Sequence, residues 1–247
     1  MCTLVCRWQP NEEFAVQLLA LRDEYASREF DPPEQWWPDY PGVVGGQDRS
    51  KGGSWCVSDV ATGSTAVVLN NPVKKTASLG APSRGVLPLL AVRYGQLWSE
   101  HLTTKGMAGF HLVLATPESL QCWSFDGENL IHEQLFPGTY MFTPRELHRS
   151  EFGDDRLAEG RFRYEAGRTA PTHLVWDGWV NAVAETLPTT DPADLLVCVP
   201  DGDETYETVF AQCIASRAGQ LRVDYLNRPV ENPRGEWSTR TWELTSP

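Results

Sequence analysis

Residues 2-CTLVCRWQPNEEFAVQLLALRDE-24 hold two β-prone runs, at 2–8 and 14–21, with a turn at Pro10-Asn11 between them. Successive side chains of an extended chain point to opposite faces of a sheet. One face of the first run therefore carries its even-numbered residues: Cys2, Leu4, Cys6 and Trp8. We predict two neighbouring strands here, with the charged triplet 22-RDE-24 directly after the second.

The rest of the chain alternates between β-prone and helical patterns. A hairpin is predicted over 54–60 and 64–70, around Thr62-Gly63. Further short strands are predicted at 109–115, 119–125, 130–136, 139–142, 206–214, 219–226 and 236–244. The stretch 22–53 is rich in Pro and Gly and is predicted to be a long irregular loop, which usually has a function.

Two stretches have the apolar spacing of a helix. The first is 83–102, although Pro88 and Gly95 weaken it. The second follows Thr172 as N-cap. Its apolar stripe is Trp176, Trp179, Val180, Val183 and Leu187. The mixed-charge stretch 150–170 is predicted to be an exposed insertion. This order of elements predicts a single α+β domain over 1–247, with helices layered on antiparallel sheets.

Composition excludes some classes of partner. The 247 residues carry a net charge of −12, which argues against nucleic acid or an anionic membrane surface as the main partner. The hydrophobic fraction of 41% suits a folded chain rather than a disordered one. Ten Trp are unusually many, and they suit either a large core or an aromatic-lined pocket.

The sequence favours a cytoplasmic protein with reduced thiols. The first residues lack the apolar run of a signal peptide, and no apolar stretch approaches the roughly 20 residues of a membrane span. The six Cys could pair, but without a secretory signal free thiols are the better interpretation. No Cys or His spacing typical of a zinc site is present, so no metal is predicted.

Cys2 is the first candidate catalytic residue. If Met1 is removed, Cys2 carries both a thiol and a free α-amine, so one residue supplies a nucleophile and a nearby general base. The alternative is that position 2 simply begins a buried strand, since free Cys is often buried.

Three further residues could serve the same chemistry. A fixed Arg22 beside a thiol would favour the thiolate, and Asp23 could orient the α-ammonium or move a proton. Asn70 could donate a hydrogen bond to a developing oxyanion. The alternatives are a salt-bridged strand end for 22–24 and ordinary turn chemistry for Asn70-Asn71-Pro72.

Taken together, these residues resemble the Asn-Arg-Asp-Glu family, also called the Transport and Golgi organisation protein 2 family. The resemblance is carried, in family order over residues 1–90, by Met1-Cys2, Leu21-Arg22-Asp23-Glu24, Trp36-Trp37, Gly45-Gly46-Gln47-Asp48, Gly52-Gly53-Ser54-Trp55, Leu69-Asn70 and Ser83-Arg84-Gly85. Two positions depart from the family pattern: Leu21 replaces an Asn, and Gln47 stands where Arg is common.

The resemblance implies a relative of the N-terminal-nucleophile hydrolases, whose fold is a four-layer αββα sandwich. In that reading Cys2 attacks an amide carbonyl of a small acylated substrate, Arg22 and Asp23 assist it, and Asn70 stabilises the oxyanion. The family also implies an alternative, a non-catalytic protein that binds and traffics haem or an acyl-CoA-like lipid. No cofactor is expected for the enzyme, whereas haem is expected for this alternative.

Substrate-binding residues are predicted from the Trp distribution and from one Arg. Four Trp cluster in sequence around the Cys2 and Gly-rich motifs and are predicted to wall the pocket: Trp8, Trp36, Trp37 and Trp55. Arg22 or Arg84 would be needed to receive an anionic substrate locally. The scattered histidines could ligate haem iron, although such residues are more often ordinary side chains: His101, His111, His132, His148 and His173.

Overall fold

The computed structural model describes residues 2–144, 147–149, 177–190 and 195–244. These residues form two antiparallel sheets. Sheet A consists of β1 (Cys2–Trp8), β2 (Val16–Tyr25), β10 (Gly138–Phe142), β11 (Leu147–Arg149), β12 (Cys198–Asp201), β13 (Glu204–Arg217), β14 (Gln220–Asn227) and β15 (Ser238–Glu243). Its order is β11-β10-β1-β2-β13-β14-β15, with β12 also paired to β13. The N-terminal strand β1 therefore lies inside the sheet, between β2 and β10.

Sheet B is a simple meander of strands that follow one another in sequence. It consists of β3 (Phe30–Glu34), β4 (Val43–Asp48), β5 (Cys56–Asp59), β6 (Ser64–Asn70), β7 (Phe110–Ala115), β8 (Leu120–Phe125) and β9 (Leu130–Leu135). The hairpin predicted around Thr62-Gly63 is confirmed as β5 and β6. The four strands predicted between 109 and 142, and the three predicted after 206, are also present.

The predicted four-layer αββα sandwich is wrong. Strands account for 47% of the described residues and helices for 12%. The two α-helices are α1 (Leu87–Tyr94) and α2 (Asp177–Glu185), of eight and nine residues. At 1.5 Å per residue each is about 12–14 Å long, whereas seven strands at about 4.8 Å spacing span about 30 Å. Each helix covers part of one outer sheet face, and neither forms a layer.

Both helices are shorter than the sequence pattern predicts. The helix predicted over 83–102 is interrupted because Gly95 takes a left-handed φ of +61°, and 3-10 turns flank α1 at Arg84–Val86 and Gly95–Glu100. In α2 the stripe residues Trp179 and Val183 are buried, but Leu187 lies beyond the helix end and is 77% exposed. Thr172, Trp176 and the predicted insertion at 150–170 lie outside the described residues.

The sheets stack face to face around one apolar core. The alternation predicted for β1 is confirmed, because Leu4, Cys6 and Trp8 belong to this inter-sheet core with residues of sheet B. Val5 lies on the opposite face of sheet A, in an outer cluster with Trp179 and Val183. A second outer cluster joins α1 to sheet B. None of the helices in the described ranges is long and apolar enough to cross a membrane.

The stretch 22–53 is more ordered than predicted. It contains the end of β2 and all of β3 and β4. A Cβ at Gly45 would lie 2.5 Å from the Cys56 carbonyl oxygen, and one at Gly46 would lie 2.4 Å from the Trp55 ring. The glycines therefore mark close packing of β4 against its neighbours rather than a loop.

Candidate active site

A cavity of about 100 Å³ lies where the C-terminal end of β2 approaches the connection between β4 and β5. The end of β6 and the turn at 83–85 complete its wall. Among the described residues, the cations in this wall are Arg22, Arg28, Lys51 and Arg84. The carboxylates are Asp23, Glu24 and Asp48. The cavity is therefore strongly polar although it adjoins the inter-sheet core.

Arg22 is the buried cation of this cavity, with 4% of its surface exposed. Its Cζ lies 4.4 Å from the centre of the Trp55 ring and 5.1 Å from that of Phe30, so two aromatic faces stabilise its charge. Its Nη2 donates to Asp48 Oδ2 at 3.3 Å. These contacts hold the guanidinium in one place at the end of β2.

Asp48 joins the two arginines to the loop that follows β4. Its Oδ2 also accepts from Arg28 Nε at 2.8 Å. Its Oδ1 accepts from the backbone N–H of Ser50 at 2.9 Å, the Ser50 hydroxyl at 2.6 Å and the backbone N–H of Lys51 at 3.2 Å. Burial favours the neutral acid, but the Ser50 bond and the charges of Arg28 and Arg22 outweigh it and lower the Asp48 pKa. The carboxylate is therefore ionised and fixes the loop.

Asp23 follows Arg22 in β2, also lines the cavity and is also buried. Its Oδ1 accepts from the Thr208 hydroxyl at 2.7 Å, and its backbone carbonyl accepts from the Tyr206 hydroxyl at 2.9 Å. Burial raises the Asp23 pKa to about 6, although the positive chain terminus and the Thr208 bond act against this shift. A carboxyl that titrates near pH 6 can accept or return a proton at physiological pH.

Cys2 stands opposite Arg22 in the β1–β2 ladder. Directly opposed positions of an antiparallel pair lie on the same face of the sheet. Three other cysteines have poor thiolate chemistry, because burial raises the pKa of Cys6 to about 12 and also raises those of Cys122 and Cys213. Among the positions for a reactive thiol, residue 2 is the one beside the cavity's buried cation.

Asn70 and Arg84 reach the cavity from sheet B and the turn at 83–85. Asn70 ends β6, opposite Phe110, and lines the cavity. Arg84 also lines it, and its Nη1 donates to the Gly109 carbonyl at 2.9 Å. The turn sits close because Ser54 N–H donates to the Gly85 carbonyl at 2.8 Å, and a Cβ at Gly53 would lie 2.6 Å from Gly85.

About two thirds of the chain, counted from its first residue, matches a known family. The model of the Transport and Golgi organisation 2 family matches residues 1–167, which is more than half of the chain. The chain belongs to this family. A search of curated proteins gives no match. The matched region contains Cys2 and the cavity residues from Arg22 to Arg84, whereas Thr208 and Tyr206 lie beyond it.

Of the four Trp predicted to wall the pocket in this member of the Transport and Golgi organisation 2 family, Trp55 lines the cavity. Trp8 is in the inter-sheet core, about 20 Å along β1 from Cys2, and its Nε1 donates to the Thr116 carbonyl at 2.9 Å. Trp36 Nε1 donates to the Pro32 carbonyl, and Trp37 Nε1 donates to the Gly52 carbonyl. Trp37 thereby supports the cavity loop from outside.

The described histidines give no support to haem binding at this cavity. None of the histidines whose side chains are described lines it. His111 bonds to Ser124 and Pro144, His132 stacks on Trp123, and His101 stacks on Tyr94. Within the described ranges, no three His, Cys, Asp or Glu side chains cluster as a metal site.

The residues that the sequence did not assign to the site are Arg28, Asp48, Lys51 and Thr208. Asp48 and Lys51 lie in or beside the Gly-rich motifs that carry the family resemblance. The sequence therefore marked this segment, but it did not indicate what these two residues do. No local pattern pairs Thr208 with Asp23, because the two residues meet only through the pairing of β13 with β2.

Proposed function

We propose that the protein is an amidohydrolase or acyl-transfer enzyme that uses Cys2, once Met1 has been removed, as an N-terminal nucleophile on a small acylated substrate. The observation that carries this proposal is the pairing of Cys2 with Arg22 at the wall of a polar cavity. A guanidinium held by Asp48, Trp55 and Phe30 supplies a fixed positive charge at the residue paired with Cys2. Such a charge favours the thiolate, which is the nucleophilic form.

The reaction follows from these groups. The α-amine of Cys2 takes the thiol proton, and the sulfur attacks the amide carbonyl carbon. The carbonyl oxygen becomes an oxyanion, to which the Asn70 side-chain N–H donates. The tetrahedral intermediate collapses by breaking the C–N bond, and the α-ammonium returns its proton to the leaving amine. Water then attacks the thioester, which releases a carboxylic acid and the free thiol; in acyl transfer an amine takes the place of water.

Asp23 assists the reaction through the negative charge of its carboxylate. Its carboxyl lies directly after Arg22 and is held by Thr208, and its pKa of about 6 leaves it mostly ionised at neutral pH. An ionised Asp23 stabilises the α-ammonium that forms when the thiol is deprotonated. We also propose a cytoplasmic setting, since Cys6, Cys56, Cys122, Cys198 and Cys213 are all free thiols.

Intact-mass analysis and thiol labelling test the proposal. We expect a mass that lacks Met1, and alkylation of Cys2 by iodoacetamide much faster than that of the part-exposed Cys198. Cys2→Ala should abolish hydrolysis across a panel of N-acyl p-nitroanilides, whereas Cys198→Ala should leave it unchanged. Retention of Met1 in active protein, or equal activity in Cys2→Ala, would falsify the nucleophile role. Saturable lipid binding that survives Cys2→Ala without any turnover would instead favour the carrier alternative.

A further inference from the structure

The carboxylates and arginines of the cavity largely neutralise one another. Asp48 bonds to both Arg22 and Arg28. Glu24 Oε2 lies 3.4 Å from Arg28 Nη1 and 3.9 Å from Arg22 Nη2. These two carboxylates and two guanidiniums form one cluster, which leaves little attraction for a second ion. Asp23 lies apart from it, bonded to the Thr208 hydroxyl.

Lys51 stands outside this cluster. Its backbone N–H is fixed by Asp48 Oδ1 at 3.2 Å, so the residue is held at the cavity, but its side chain is exposed. Throughout the part of the chain that the structure describes, no carboxylate pairs with the Lys51 ammonium. Arg84 also lines the cavity, and its Nη1 donates to the Gly109 carbonyl at 2.9 Å.

A positive charge beside the cavity would attract an anionic ligand. The whole chain carries a net charge of −12, which repels anions at long range. An anionic ligand therefore needs a local positive group to enter. Ammonium and guanidinium groups form strong, charge-assisted hydrogen bonds with carboxylate or phosphate oxygens.

We propose that Lys51 forms an anion subsite at this cavity, so that the substrates of the Cys2 site carry a carboxylate or phosphate group near the scissile amide. This inference rests on the proposed function, because it assigns a substrate class to the same cavity. It makes Lys51 a specificity-determining residue, which selects the substrate and takes no part in bond breaking.

Two alkylating reagents of similar size test the charge directly. Iodoacetate is anionic and iodoacetamide is neutral, so the ratio of their rates at Cys2, divided by the same ratio for a free cysteine peptide, reports the local potential. We expect this normalised ratio to fall about threefold in Lys51→Gln and about tenfold in Lys51→Glu. Any change in the thiolate fraction of Cys2 alters both rates equally and therefore cancels in the ratio. Added salt should shrink the wild-type ratio, because ions screen the exposed ammonium.

Lys105→Glu is the matched control. It changes the net charge as Lys51→Glu does, on an exposed lysine that does not line the cavity. Its ratio should match that of the wild type. An unchanged ratio in Lys51→Glu, or an equal fall in Lys105→Glu, overturns the subsite. If Cys2 reacts no faster than Cys198 with either reagent, the proposed nucleophile fails instead, so the two failures are distinct.

Protection experiments identify the anion. Glutarate and inorganic phosphate, each compared with chloride at equal ionic strength, should slow alkylation of Cys2 in the wild type and not in Lys51→Glu. Stronger protection by glutarate assigns a carboxylate, and stronger protection by phosphate assigns a phosphate group. Protection by neither anion contradicts the subsite.

Discussion

The Thr208 hydroxyl donates to Asp23 Oδ1 at 2.7 Å, across a β-bulge that shifts the β13–β2 register between Thr208 and Phe210. A regular ladder would place Val209 opposite Asp23, whereas the bulge places Thr208 there. The Val209 carbonyl left out of the ladder accepts from the backbone N–H of Arg228, which has a left-handed φ of 47°. The bulge is thus what gives the buried carboxyl a hydroxyl partner.

Removing this hydroxyl should change the titration of Asp23. In Thr208→Val we expect the Asp23 pKa to rise above its value of about 6, because a bond that stabilises the carboxylate is lost. The Val197 N–H also loses its acceptor, so unfolding free energy should fall by about 1–3 kcal/mol. Carboxyl NMR titration and urea denaturation measure the two effects. Thr208→Ser keeps the hydroxyl and should restore both, and a wild-type pKa in Thr208→Val would contradict the role.

Asp23 should also make stability depend on pH. Its pKa is about 6 in the folded protein against an ordinary 3.8, so between these values the folded state binds the extra proton. Its contribution is fully present below about pH 4 and is lost as the pH rises through 6. A difference of about two units corresponds to about 3 kcal/mol.

The comparison with Asp23→Asn isolates this effect. As the pH rises from about 4 to about 8, the wild type should lose up to about 3 kcal/mol relative to the variant, whatever constant offset the amide introduces. Urea denaturation at a series of pH values measures the difference. The exposed Asp39→Asn serves as control and should track the wild type. Parallel curves for wild type and Asp23→Asn would show that Asp23 titrates normally.

Loss of Asp48 should destabilise the protein more than loss of a surface partner. Asp48→Ala leaves the buried Arg22 without its bond to this carboxylate and releases the loop held by Oδ1, so we expect a loss of about 3–5 kcal/mol. Asp31→Ala removes an ion pair with the exposed Arg49 and should lose at most about 1 kcal/mol. Urea denaturation compares the two, and equal losses would mean that the Arg22–Asp48 contact contributes no more than a surface pair.

Substitutions at the adjacent Gly52 and Gly53 distinguish two reasons for a glycine: its backbone conformation at Gly52 and close packing at Gly53. A Cβ at Gly53 would lie 2.6 Å from the Gly85 backbone, so Gly53→Ala should push the turn at 83–85 away and destabilise by about 1–3 kcal/mol or more. Gly52 has a φ of +71° and open space around its would-be Cβ, so Gly52→Ala should lose about 1 kcal/mol of conformational origin. Thermal unfolding ranks the pair, and the reverse order would rule out the contact as the cause.

The sequence predicted elements whose own alternation or turn chemistry defines them. The β5–β6 hairpin is an example, since β-branched residues flank Thr62-Gly63. The sequence did not predict β4, because Gly45 and Gly46 have low strand propensity. Packing against Cys56 and Trp55 holds them extended. The predicted helix layers are wrong because the helix over 83–102, which Gly95 was expected to weaken, in fact ends there as the eight-residue α1.

The residues of the candidate site were likewise predictable only in part. Arg22, Asp23, Asn70 and Arg84 stand in motifs that follow one another within the first 90 residues, and they line one cavity. The partners that set their charges could not be predicted, since Asp48 meets Arg22 by sheet packing and Thr208 meets Asp23 from near the other end of the chain. Such contacts form only when distant parts of the chain pack together, and local sequence patterns do not show which parts will meet.

The placement of β2 between β1 and β13 has a consequence for biosynthesis. Asp23 and Thr208 are 185 residues apart, and a ribosome adds about 5–20 residues per second, so Asp23 emerges roughly 10–40 s before its partner exists. Sheet B, whose strands pair in sequence order, can form during that interval. The edge of β2 that pairs with β13 has no partner strand during this interval. The apolar side chains of β2 are therefore exposed to chaperones on the nascent chain. The contacts of Asp23 with Thr208 and Tyr206 are therefore completed only late in synthesis.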